Sequence, residues 1–144
     1  MSADLVARLE KLTGPDRDAD WRIEKLLVRP EEFPDIEIWP TFQQDSKFER
    51  SIPAYTASLD AVVALVERKL PDTDERRHSC TIWTGRRPAA RIFYQQRCAE
   101  DEGGWAIGAL NNWEVRGSTP AIALLLALFN ALRVLEAEGA CDVR

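Results

Sequence analysis

The hydrophobic positions of this chain change period as it proceeds. Leu5, Val6, Leu9 and Leu12 recur at helical spacing behind Ser2, an acceptable N-cap, and Gly14-Pro15 ends the run, so the pattern predicts a short first helix. GPDRDADWRIEKLL restarts at once, with Pro15 at a helix-start position, acids in the opening turn, and Trp21, Ile23, Leu26 and Leu27 for one face. Between 29 and 53 the prolines Pro30, Pro34, Pro40 and Pro53 exclude a long helix and predict an irregular insert with one short edge strand, DIEIW. YTASLDAVVALVERKL then returns to the helical period. Leu59, Val62, Val63 and Val66 make its buried stripe, Thr56 or Ser58 caps it, Asp60 complements its dipole, and Pro71 follows its end.

The period next shortens to that of a strand. HSCTIWTG and AARIFYQQR are rich in β-branched and aromatic residues and are separated by GRRP, which predicts a hairpin. GGWAIGAL supplies a third strand, and NWEVRG a fourth or its continuation. Thr119 caps a last helix with Pro120 at its first position, running to Gly139. Ile122, Leu125, Phe129 and Leu132 form one stripe on it, and Leu124, Leu128 and Leu135 a second. Such a helix is buried on both sides, either between sheet and other helices or in a subunit interface, so a homo-oligomer through the 120–138 helix is expected. These elements define an α+β class, a small antiparallel sheet of three to four strands packed with helices in an α/β sandwich. One domain over 1–144 is expected, with 29–53 as the irregular insert.

Composition narrows the setting. At 144 residues, with 45% apolar and 30% charged side chains, the chain is long enough for its own core and far from disordered composition. A formal net charge of -5 argues against a protein that coats nucleic acid or anionic membrane over its whole surface. Cys80, Cys98 and Cys141 form no CxxC pair and read as thiols in a reducing compartment. MSADLVARLEKL lacks the uninterrupted apolar core of a signal peptide, and the run from Pro120 to Phe129 is about half of a membrane span. A cytoplasmic protein with no membrane partner is the expectation.

Most motif chemistry fails on spacing. His78, Cys80 and Cys98 offer no second ligand pair, so no metal is expected. DRDAD copies the start of a calcium loop, but Trp21 replaces the turn glycine and Leu27 the bidentate glutamate. Ser58 and Cys80 have one histidine in the whole chain to serve as base and no GxSxG elbow, and GGWAIG lacks the lysine and helix of a phosphate loop. No cofactor and no catalytic residue follow from the sequence, and a non-enzymatic protein is expected.

One charge pattern does stand out. From Arg76 to Arg97 there is no Asp or Glu, while Arg76, Arg77, Arg86, Arg87, Arg91 and Arg97 fall there within an acidic chain. On the predicted hairpin Arg86 and Arg87 take the tip, Arg76 and Arg77 the opposite end, and Trp83, Phe93 and Tyr94 the strands between. Guanidinium forks grip phosphates and rings stack on bases, so Arg76, Arg77, Trp83, Arg86, Arg87, Arg91 and Tyr94 form the candidate ligand site. The competing reading is a solvated face whose arginines pair with DTDE, AEDE and the acidic loop and deter edge pairing.

Three segments, LEKLTGPDRDADWRIEKLL, PAYTASLDAVVALVERKLPD and GSTPAIALLLALFNAL, resemble in order and spacing a family of small proteins of alphaproteobacterial phages and prophages that looks like the phage ABA-sandwich domain. The resemblance covers under half of the chain, and Ala19 stands where that pattern has a bulky apolar residue. It implies an α/β sandwich encoded by a phage and working in the host cytoplasm, and it carries no activity. Together with the arginines it leads to a counter-defence binding protein that sequesters a host defence protein or a phosphate-bearing signalling nucleotide. A nucleic-acid-binding accessory protein and a purely structural assembly protein are the alternatives.

Overall fold

A computed structural model describes residues 2–28, 52–73, 76–97, 105–109 and 114–142 of the chain. The insert at 29–53, with DIEIW, lies almost wholly outside the described residues. Helix α1 spans Ser2–Lys11 and α2 spans Arg17–Ile23, after which the backbone widens into a π-type turn, Glu24–Val28. Ser2 is thus the first helical residue of α1. Pro15 precedes α2, whose N-cap is Asp16, because its Oδ1 accepts from Asp18 N–H at 3.0 Å and Ala19 N–H at 3.3 Å. Helix α3 is Leu59–Lys69, and Ser58, not Thr56, caps it by accepting from Ala61 N–H.

The hairpin expected from the sequence forms. Strand β1 (Arg76–Trp83) pairs antiparallel with β2 (Ala89–Arg97), with Arg77 opposite Gln95, Thr81 opposite Arg91 and Trp83 opposite Ala89. Gly85, in the connecting turn, has φ +111°, a conformation that a side chain would strain. On the free edge of β2 lie two separate ladders. Strand β3 (Trp105–Ala109) pairs Phe93 with Ala109, and the two-residue β4 (Val115–Arg116) pairs Ala90 with Val115. The fold is therefore α+β, with a small antiparallel sheet.

Helix α4 (Pro120–Asp142) is the centre of the molecule. Thr119 caps it, accepting from Ile122 N–H at 3.2 Å, and the helix runs past Gly139. Ala121 to Phe129 are buried at every position, as is Ala131, because β1, β2 and β4 cover one side of the helix while α1 and α3 cover the other. The two apolar stripes thus find their partners inside one copy of the chain. That accounts for a helix apolar all round. Gly117 permits the approach: a Cβ there would lie 2.6 Å from Ala123 N. Ser118 Oγ donates to Leu12 O at 2.6 Å and ties the start of α4 to the end of α1. No helix among the described residues is long and apolar enough to cross a membrane.

Candidate functional site

Alternation along β1 sorts the arginines. Arg76, His78, Cys80 and Ile82 are half-buried on the face toward the helices, whereas Arg77, Ser79, Thr81 and Trp83 are exposed on the other. Arg91 and Phe93, opposite Thr81 and Ser79, share that outer face. The structure therefore brings Arg77, Trp83 and Arg91 together, adds Arg86 and Arg87 at the tip, and separates Arg76 from them by turning it inward. Tyr94 stands opposite His78 in the register, one strand position away from the outer face. Sequence spacing showed the charge inversion but could not assign faces, because a one-residue shift in register exchanges them.

Within the outer face, the Arg91 guanidinium lies over the Phe93 ring at 4.7 Å from its centroid. Its Nε is buried and has no hydrogen-bond partner. Trp83 is the exposed large apolar side chain, 39% accessible. Arg86 and Arg87 are exposed, and among the described residues neither has a hydrogen bond or ion pair. Arg76 and Arg77 do have interactions of their own. From Arg77 to Trp83 the face extends about 20 Å along the strand.

His78 and Cys80 share the inner face. Burial pushes the Cys80 thiol above its ordinary value of 9.0 and Glu67 adds to the shift, while burial lowers His78 below 6.5 against the pull of Asp72. A cysteine nucleophile needs the reverse, a thiolate beside an imidazolium. No cluster of three His, Cys, Asp or Glu side chains able to hold a metal occurs among the described residues.

A different polar cluster escaped the sequence reading. Thr56 is 1% exposed, and its Oγ1 accepts from Asp16 N–H at 2.7 Å and donates to Asp20 Oδ1 at 2.8 Å; its own N–H donates to the same oxygen at 2.7 Å. Arg17 closes the other side of Asp20 at 3.0 Å and donates to Ile52 O at 3.2 Å. Tyr55 Oη donates to Glu24 Oε1 at 3.0 Å. The buried Tyr55-Thr56 pair thus locks α2 and the turn after it to the entry of α3. The calcium-like DRDAD is spent on this lock and on Arg8 and Arg22, each 2.9 Å or less from an acid of the motif.

No protein-family model, curated protein or solved structure matches this chain, so the site rests on its own residues.

Proposed function

We propose that this chain is a non-enzymatic binding protein whose outer hairpin face captures an extended phosphate-bearing partner. The observation that carries the reading is the pair Arg86 and Arg87, exposed and, among the described residues, without a hydrogen bond or ion pair, at one end of a face that also presents Trp83 and the Phe93-stacked Arg91. Guanidinium groups and ring faces in one row suit a single strand of nucleic acid, with phosphates on the former and bases on the latter. Arg77, Trp83, Arg86 and Arg87 are exposed, and neither the cleft between α3 and β1 nor the one between α1 and α4 is lined by any of these arginines. Tight retention of a mononucleotide or dinucleotide calls for enclosure, so the openness favours the strand over the signalling nucleotide. The phage setting and a counter-defence role come from the resemblance of the three segments, and a host protein displaying phosphate would use the same face.

Fluorescence anisotropy with a labelled oligothymidylate across a salt series tests this. Binding that weakens with salt, and whose log–log slope falls by about 1.4 in the Arg86→Ala, Arg87→Ala double variant, is expected from two lost phosphate contacts. Absence of binding at low salt, or a double variant that binds like the parent, overturns it. Preferential binding of a cyclic dinucleotide over the oligonucleotide would favour sequestration of a signalling nucleotide instead.

A further inference from the structure

The inner side of β1 carries a second polar feature that the hairpin reading leaves unused. A cleft of about 350 Å³ opens between α3 and β1, at the small end of the range for small-molecule sites. Val63, Val66, Leu70 and Pro71 give it an apolar wall. Glu67, Asp72, His78 and Cys80 supply the polar side. The His78 side chain is only 9% exposed, and both ring nitrogens are buried without a hydrogen-bond partner. A buried imidazole in that state has unmet hydrogen-bonding capacity that a ligand in the cleft can satisfy.

The surroundings define what kind of ligand. His78 Nδ1 lies 3.9 Å from Asp72 Oδ1, too far for a hydrogen bond but close enough to orient the ring proton toward that carboxylate. Nε2 is then left with its lone pair and can only accept. Burial lowers His78 below its ordinary 6.5, with Arg76 reinforcing and Asp72 and the Pro71 backbone opposing, and burial pushes the Cys80 thiol above 9.0. Glu67 and Asp72 are exposed, which puts two carboxylates at the mouth. Arg76, the cation on the same strand face, has interactions of its own. We propose that this cleft binds a small amphipathic amine, whose ammonium donates to His78 Nε2 near the Glu67 and Asp72 carboxylates while its hydrocarbon part lies against Val63, Val66 and Leu70. An acid of the same shape meets two carboxylates and no donor cation in the cleft.

His78 is the one histidine of the chain, so its Cε1–H gives one unambiguous resonance in the intact protein. Three probes of one shape test the site by titration at constant pH: cyclohexylmethylamine, cyclohexylmethanol and cyclohexanecarboxylate. The amine is expected to shift the resonance saturably and to bind at least about fivefold more tightly than the alcohol, the carboxylate giving no saturable shift. Glu67→Gln, at an exposed position that leaves the fold intact, is expected to weaken the amine severalfold and leave the alcohol unchanged. His78→Phe, read by calorimetry, is expected to abolish amine binding. No saturable shift with amine up to about 10 mM, where even a millimolar site would be filled, overturns the proposal. Equal binding of the three probes, or a Glu67→Gln protein with unaltered selectivity, overturns it as well.

Discussion

The α2 cluster and the β1–β2 hairpin are both dense in charge, yet the fold treats them in opposite ways. Around α2, Asp16 meets Arg8, Asp18 meets Arg8 and Arg22, and the fully buried Asp20 meets Arg17 and Thr56. At the hairpin tip Arg86 and Arg87 are exposed and unpaired among the described residues, and Arg91 has a ring for a neighbour in place of a carboxylate. Charge density alone therefore does not mark a site. What separates the two regions is that, among the described residues, the acids around α2 have ion-pair partners and the tip arginines do not.

That contrast is most open to breakage at Thr56. Thr56→Val keeps the shape but removes the acceptor for Asp16 N–H and the hydroxyl donor to the buried Asp20 carboxylate. A loss of about 3 kcal/mol in urea unfolding is expected, as for other broken buried charged hydrogen bonds. A loss under about 1 kcal/mol would show that water replaces the hydroxyl and that the lock is weaker than its geometry. Tyr55→Phe removes a single donor to Glu24 and is expected to cost about 1 kcal/mol in the same assay.

Acidification sharpens the comparison further. Burial raises Asp20 above its ordinary 3.8, against the lowering effect of the Thr56 hydrogen bonds and of Arg17. The folded state thus holds this proton more tightly than the unfolded state does. The sign follows: the Asp20 contribution to stability is fully present below 3.8 and is lost as pH rises through the raised folded value. The parent is therefore expected to gain stability relative to Asp20→Asn as pH falls through that window, measured by paired urea titrations. A parent that loses ground on acidification would mean that the hydrogen bonds outweigh desolvation.

The smallest effect on stability belongs to the hairpin. Arg86→Ala with Arg87→Ala is expected to change unfolding free energy by no more than about 0.5 kcal/mol, since neither side chain has a hydrogen bond or ion pair among the described residues. The same variant is expected to bind oligothymidylate more weakly, with the reduced salt slope. A large loss of stability in calorimetry would place these arginines in the framework and dissolve the contrast with α2.

How legible these regions were depended on the sequence distance of their contacts. The cap at Ser58, the Thr119-Pro120 start of α4 and the hairpin around GRRP are local, with every interaction inside a few residues, and their residue types announce them. Thr56 announced only a helix start. Its real partners, Asp16 and Asp20, lie 40 and 36 residues away across the insert, and no local pattern distinguishes a threonine that caps from one that bridges. The separation of Arg76 from Arg77 was hidden for a related reason, since alternation states that neighbours part but leaves open which of them faces the core.

The amino-acid sequence by itself determined the α+β class, the helix starts and the inverted charge of the hairpin, because period, capping chemistry and composition act over one or two turns. Tertiary structure alone decided that α4 is covered on both sides within one chain, that β3 and β4 share the edge of β2 in different registers, and that Thr56 closes on Asp20. Each of these turns on which surfaces meet after distant segments pack. The free energy that selects among such meetings belongs to buried area and satisfied polar groups across the whole fold.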